Sequence, residues 1–221
     1  MTKLEFYGYA EDALSCSVMQ RLFLYHNETV ADGPQVVFKP GFPENKRGCG
    51  NLKTLIPKVS AMAENAGLRT FILTDLDSIP CAPELLRNWF ELDGTSLKVP
   101  ANLLFRIAER EVEAWLLADR EGLSSFLDIA CVNFRADPDV LPDPKQYLMN
   151  VIRSKGRKRY HKEMLPSGGA HIGPEYNPKL CEFVNTYWNL DVAKVRSGSL
   201  QRAINAMRLR VGAAMKEKNK A

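Results

Sequence analysis

The sequence has few of the features that mark several large classes of protein. Its five cysteines are scattered and form no CxxC pair, so we expect reduced thiols and neither a zinc site nor a disulfide framework. No apolar run is long enough to span a bilayer, and the first residues have no signal-peptide pattern. We therefore expect a cytoplasmic protein with no membrane partner.

Signatures of nucleophilic catalysis are also missing. The sequence contains no G-x-S-x-G motif and no Cys–His signature, and its three histidines lack metal-ligand spacing. Neither a Walker A loop nor a dinucleotide fingerprint occurs. Catalysis by a nucleophilic side chain is therefore unsupported.

The charges are distributed unevenly along the chain. Residues 1–150 carry 15 Lys and Arg against 21 Asp and Glu, whereas residues 151–221 carry 15 against 5. Such a chain could hold a cation in its acidic part and a polyanion in its basic part. An acidic domain with a solvated basic tail is the alternative.

Hydrophobic patterning predicts an α/β fold. Short runs rich in β-formers predict four strands, at residues 4–9, 36–39, 70–74 and 102–108. Helical patterns lie between and after them, at about residues 13–25, 52–66, 82–90, 111–118, 145–154, 178–188 and 199–218. Alternation of strands and helices predicts a mainly parallel sheet with helices on both faces. We expect this domain at residues 1–127 and a mostly helical, basic extension at 128–221, packed on or beside it.

Two carboxylates follow the third predicted strand, one residue apart. Side chains at i and i+2 of an extended chain point the same way, so Asp75 and Asp77 can converge on one point. Two such carboxylates repel each other unless a cation lies between them, and their hard oxygen atoms suit Mg²⁺ or Mn²⁺. The alternative is a strand followed by an ordinary Asx-rich turn.

Acidic residues also follow the first and fourth predicted strands. Glu11 comes after the first, and Glu111 and Glu113 come after the fourth. Right-handed crossovers bring the carboxyl ends of parallel strands to one edge, where ligands bind. We therefore expect these acids to line one crevice and to hold metal. For Glu111 and Glu113 the alternative is a solvated helix face on which Arg110 pairs with Glu113.

Two basic segments are candidates for phosphate binding. Lys46 and Arg47 precede two glycines and a predicted helix, where backbone N–H groups could bind an anion. An ordinary flexible loop is the alternative. The densest basic run includes four further candidates for contact with phosphates. They are Arg157, Lys158, Arg159 and Lys162. A solvated loop would explain that run equally well.

Several of these motifs together resemble the Toprim fold of topoisomerases, primases, OLD-family nucleases and small nucleases of bacterial defence systems. The family's loop glutamate corresponds to Glu11, and its D-x-D motif corresponds to Asp75 and Asp77. Residues 110–119, REVEAWLLAD, resemble the E-x-E-A-W-L-L-A-D segment of an uncharacterised bacterial Toprim-like family, some of whose members lie beside defence genes. Residues 173–177 and 197–202 also resemble motifs of such proteins. Toprim proteins often have Glu-Gly after the first strand, where this chain has Asp12 in place of the glycine.

The resemblance implies a nuclease that hydrolyses DNA or RNA with Mg²⁺ or Mn²⁺, in antiviral defence. Glu11 would act as general base or metal ligand, and Asp75 and Asp77 would hold the ion. Glu111 or Glu113 would support a second ion. Nucleic acid and a protein of a defence system are the implied partners. Two alternatives stay open, a non-catalytic nucleic-acid-binding or regulatory module and a phosphatase or nucleotidyl-transfer enzyme that acts on a small substrate.

Overall fold

The chain divides into two compact units. A computed structural model describes residues 3–30, 33–90, 98–134 and 137–218. The first unit comprises Met1–Ile107 with Arg202–Ala221, and the second comprises Ala108–Gln201. The boundary expected after residue 127 lies inside the second unit. The change in composition at that point marks the end of a helix (Arg120–Leu127) and not the end of a compact unit.

A parallel five-stranded sheet forms the centre of the first unit. Strand β1 (Lys3–Ala10) pairs in parallel with β2 (Gln35–Phe38), β3 (Glu44–Asn45) and β4 (Thr70–Asp75), and β5 (Leu103–Ala108) lies beside β4. The order along the main path is β2-β1-β4-β5. The four predicted strands are confirmed, whereas β3 was missed because two residues show no periodicity.

Four helices of the first unit connect its strands. They are α1 (Ala13–Thr29), α2 (Cys49–Thr54), α3 (Ile56–Asn65) and α4 (Ala82–Phe90). The prediction of one helix over residues 52–66 is wrong, since α2 and α3 are separated at Leu55. Pro57 has no N–H to donate to the carbonyl of Lys53, so the hydrogen-bond ladder of α2 cannot continue into α3.

Helices cover both faces of the sheet, as the pattern predicted. Phe71 and Ile72 are neighbours on β4 and therefore point to opposite faces. The Phe71 ring stacks with Phe23 of α1 at 5.7 Å between centroids. Ile72 belongs to a buried cluster with Leu52 of α2 and Ile56 of α3. Apolar packing on both faces of the sheet thus holds β4 in place.

The second unit is helical. Its helices are α5 (Val112–Leu117), α6 (Arg120–Leu127), α7 (Pro144–Lys155), α8 (Arg159–Met164), α9 (Tyr176–Thr186), α10 (Leu190–Arg196) and the start of α11 (Gly198–Lys218). The helices predicted at 145–154, 178–188 and 199–218 correspond to α7, α9 and α11. Helices α6, α8 and α10 were missed because six to eight residues carry little periodicity. Within the described residues, no helix is both long and apolar enough to cross a membrane.

Gly173 allows a close approach between two backbone segments of the second unit. Its N–H donates to the Met164 carbonyl at 3.1 Å. A Cβ atom at this position would collide with the Glu163 carbonyl oxygen and lie 2.6 Å from that of Leu165. We expect Gly173→Ala to lower the free energy of unfolding by about 3 kcal/mol in urea titrations, because rigid backbone must move.

Gly212→Ala is the matched control for this substitution. Gly212 lies in α11, and a Cβ atom there would have no neighbour within 4 Å. Alanine favours a helix over glycine by about 1 kcal/mol, so this variant should be as stable as the wild type or more so. If Gly173→Ala also unfolded at the wild-type urea concentration, the close approach would be wrong.

Candidate metal centre

The sheet order brings the carboxyl ends of β1 and β4 together. The chain leaves β1 towards β2 on one side and later enters β4 on the other, so the two strands flank a topological switch point. Ligands of open parallel sheets bind at such points. Ala10 is in register with Leu73, so Glu11 lies beside Thr74 and Asp75. The two predicted acidic motifs of the first unit thus meet at one edge of the sheet.

Glu11 is held in place by the end of β4. Its Oε1 atom accepts a short hydrogen bond from the Thr74 hydroxyl and another, of 2.9 Å, from the backbone N–H of Asp75. Burial raises the pKa of the Glu11 carboxyl, and the charges of Asp77 and Asp12 raise it further, while the two hydrogen bonds oppose the shift. A bound cation would offset these unfavourable effects on the carboxylate.

A thiol joins the two carboxylates at this edge. Glu11, Cys49 and Asp77 each offer one ligand atom, and these atoms all lie within 4.8 Å of one another. Cys49 begins α2, and Asp77 has a left-handed backbone with φ of 50°. Burial, followed by the charges of Glu11 and Asp77, raises the pKa of the Cys49 thiol to about 11. A cation would stabilise its thiolate form, since metal binding releases protons from such ligands.

Sequence reasoning missed Cys49, because its position depends on a loop that folds back onto β1. The Lys46 N–H donates to the Ala10 carbonyl and the Gly48 N–H donates to the Glu11 carbonyl, both at 2.8 Å. These bonds carry the start of α2 to the end of β1. Neither the spacing of the cysteines nor any motif around residue 49 contains that information.

Asp75 lies beside this donor set. It is the last residue of β4 and is 8% exposed, and its charge contributes to the raised pKa of Cys49. The sequence predicted Glu11, Asp75 and Asp77 as the metal ligands. Among the described residues, the donor atoms that converge belong to Glu11, Cys49 and Asp77. Direct coordination by Asp75 stays a prediction.

Asp12, which follows Glu11 directly, has a structural role at the start of α1. Its Oδ1 atom accepts a 2.8 Å hydrogen bond from the Ser15 N–H and caps α1. An aspartate at this position satisfies a backbone donor in the first turn of the helix. The departure from Glu-Gly is therefore compatible with the position of Glu11.

Glu111 and Glu113 lie in the second unit, where Lys145 contacts both. Glu111 accepts hydrogen bonds from the Lys145 N–H at 2.8 Å and from its Nζ at 3.1 Å. Glu113 is 1% exposed, accepts a bond of 3.1 Å from the Tyr176 hydroxyl, and has Lys145 Nζ at 3.7 Å. The solvated-face alternative is wrong because Glu113 is buried. Support of a second ion by either residue stays a prediction.

The glycine loop before α2 differs from a phosphate cradle. Lys46 Nζ lies 2.6 Å from Glu44 Oε1, and the Arg47 N–H donates to Asn45 Oδ1 at 2.7 Å. The Gly48 N–H already donates to the backbone carbonyl of Glu11. Helix α2 has only six residues, so the N–H groups at its start offer little to an anion. Phosphate binding by Lys46 and Arg47 stays a prediction. The backbone N–H groups of residues 46–48 already donate within the chain, so fewer of them could reach a phosphate than the sequence suggested.

Two of the four candidate residues in the basic run of the second unit form ion pairs with acidic residues. Lys158 pairs with Asp128 at 2.9 Å, and Arg159 pairs with Glu163 at the same distance. Arg157 and Lys162 are exposed. From Arg159 onward the run belongs to α8 and is not a loop, although the side chains of Arg159 and Lys162 are exposed to solvent. All four residues stay candidates for phosphate contact. Arg157 and Lys162 are exposed and take no part in these two ion pairs.

The converging donors can hold a divalent cation. Carboxylate oxygens suit Mg²⁺ and Mn²⁺, and a thiolate adds affinity for softer metals. No family model matches the chain, and no curated protein or solved structure is significantly similar to it. What the site can do therefore follows from its residues and their geometry.

Proposed function

We propose that the chain is a divalent-metal-dependent nuclease with a Toprim-like fold. The observation that carries the proposal is the convergence of Glu11, Cys49 and Asp77 at the switch point of a parallel sheet. Two carboxylates and a thiol at one point are unfavourable without a cation. The short Toprim motifs and REVEAWLLAD support the nuclease class, and a role in antiviral defence, with a partner protein, rests on that resemblance alone.

The proposed chemistry assigns separate tasks to the residues of the site. Glu11 and Asp77 would hold a divalent cation, and Asp75 adds negative charge beside them. When bound, the cation would activate a water and stabilise the leaving oxygen. Thr74 and the backbone of Asp75 orient the Glu11 carboxylate.

The donor set favours Mn²⁺ over Mg²⁺. Cys49 contributes a sulfur atom, and sulfur is a poor ligand for the hard Mg²⁺ ion. A site of three carboxylates, as the sequence predicted, would accept either ion. We therefore expect Mn²⁺ to support activity at lower concentrations than Mg²⁺.

Metal-dependent cleavage tests the proposed activity. The purified chain is incubated with fluorescent single- and double-stranded DNA and RNA, in Mn²⁺, in Mg²⁺ or in EDTA. We expect cleavage of at least one polymer in Mn²⁺ and none in EDTA. Metal binding without cleavage of any polymer would favour the non-catalytic binding module.

Salt dependence tests the proposed contact with the nucleic-acid backbone. Each phosphate contact that is lost reduces the slope of log K against log salt by about 0.7 to 0.9. We expect Arg157→Gln with Lys162→Gln to reduce the slope more than Lys158→Gln with Arg159→Gln, because the second pair is already neutralised. Lys58→Gln, an exposed change on α3, is the control. Equal slopes in all variants would exclude the run as a contact surface.

One observation favours an enzyme that acts on a small phosphorylated substrate. Two of the four basic candidates pair with Asp128 and Glu163, which reduces the charge available to a polyanion. Hydrolysis of bis-p-nitrophenyl phosphate in Mn²⁺, without cleavage of any DNA or RNA, would support this second candidate. Cleavage of polymers that depends on salt would support the nuclease.

A further inference from the structure

A cavity lies at the opposite edge of the sheet from the candidate metal centre. Its volume is about 50 Å³, and its lining includes Arg69, Asn102 and Arg210, with Phe6 and Leu104 as apolar walls. Arg69 directly precedes β4, whereas Asp75 ends it. Six residues of extended chain separate the two edges by roughly 20 Å, at about 3.3 Å per residue. The cavity is therefore not part of the metal centre.

The two arginines of the cavity have no carboxylate partner among the described residues. None of the ion pairs of 4.0 Å or less in that part of the chain includes Arg69 or Arg210. Arg69 Nε is buried and has no hydrogen-bond partner there. Arg210 Nη1 donates to the Ala101 carbonyl at 2.6 Å, which fixes the position of its guanidinium.

The Arg69 Nε atom is buried without an acceptor among the described residues, and the half-buried Arg210 lines the same cavity. A charged donor that is buried without an acceptor costs more than a neutral one. A volume of 50 Å³ exceeds the 10 to 15 Å³ that one water needs, and so leaves room for roughly three waters or one small oxyanion. The planar fork of arginine matches the paired oxygen atoms of a phosphate.

We infer that this cavity is a binding site for a small tetrahedral oxyanion of the phosphate class, held by Arg69 and Arg210. The source of the oxyanion is either free phosphate or the terminal phosphate of a nucleotide or nucleic acid. Arg69 supplies the buried donor, and Arg210 lines the cavity from α11. The inference needs no metal and does not depend on the proposed nuclease activity.

Calorimetry with inorganic phosphate in EDTA tests this site apart from the metal centre. Phosphate is titrated into the full chain at constant ionic strength, against a chloride reference. We expect saturable binding that Arg69→Gln and Arg210→Gln each weaken by about 10-fold or more, since each removes a charge-assisted hydrogen bond. Arg153→Gln, an exposed change on α7, should bind as the wild type does.

The same titration distinguishes the sources of the oxyanion. Oligonucleotides with and without a 5′-phosphate replace inorganic phosphate, and tighter binding of the phosphorylated form would identify a nucleic-acid end. If both arginine variants fail to fold, tungstate soaked into wild-type crystals takes their place, with anomalous density expected between Arg69 and Arg210. Phosphate binding that neither folded variant weakens, or no tungstate density in the cavity, would overturn the inference.

Discussion

Glu11→Gln is expected to lower metal-dependent cleavage by at least about 100-fold while the protein stays folded. Glutamine keeps an oxygen that can accept the hydrogen bonds from Thr74 and the Asp75 backbone, but it removes the charge that binds metal. Asp77→Asn should have a similar effect for the same reason. Asp75→Ala should abolish cleavage while the protein stays folded, because removing one of several repelling carboxylates does not destabilise the site without metal.

Glu44→Gln is the matched control for these variants. Glu44 is an exposed acid on β3, close to the same edge of the sheet, and it pairs with Lys46 instead of facing the donor set. Its loss should leave cleavage within a factor of about two, because exposed ion pairs contribute little. Wild-type cleavage by folded Glu11→Gln would contradict the assignment of the metal centre.

Lys145→Met is expected to destabilise the second unit by about 3 kcal/mol, the lower end for a broken buried ion pair. The substitution leaves Glu111 and Glu113 without the ammonium group that contacts both. Glu113 is almost fully buried, so its charge cannot be solvated without local opening. Urea unfolding of the purified variant measures the change.

The control and the double variant separate charge from packing. Lys179→Met removes an exposed pair with Glu182 and should cost less than about 1 kcal/mol. Adding Glu113→Gln to Lys145→Met should recover part of the lost stability, because the buried charge is then gone. If Mn²⁺ restored the stability of Lys145→Met, Glu111 or Glu113 would be a ligand of a second ion, as the sequence predicted. Wild-type stability of Lys145→Met would contradict the structural role.

The sheet was predictable from the sequence because its main strands are apolar and regular. β1, β2, β4 and β5 each fill a run of β-forming residues between turn signals, and a parallel arrangement follows from their alternation with helices. The two-residue β3 and the short helices α6, α8 and α10 carry too little periodicity for such reasoning. Their positions depend on tertiary contacts, as at Asp119, whose side chain caps α6 and also accepts from the Asn189 N–H.

The candidate site was predictable in part for a related reason. Glu11 and Asp77 follow directly from the rule that residues after parallel strands share one edge of the sheet. Cys49 depends on a loop whose backbone bonds to β1 have no sequence signature. Arg69 and Arg210 meet only because α11 returns to the first unit, which no local pattern encodes. Residues fixed by long-range backbone contacts therefore escape prediction from a single sequence.

Anomalous diffraction from a crystal soaked in Mn²⁺ tests the metal centre most directly. It reports the position of the ion without any assumption about activity or substrate. We expect one anomalous peak within coordination distance of Glu11, Cys49 and Asp77, and none in a matched Glu11→Gln crystal. A saturating soak that gives no peak at this edge of the sheet, or that places the ion elsewhere in the chain, would contradict the proposed site.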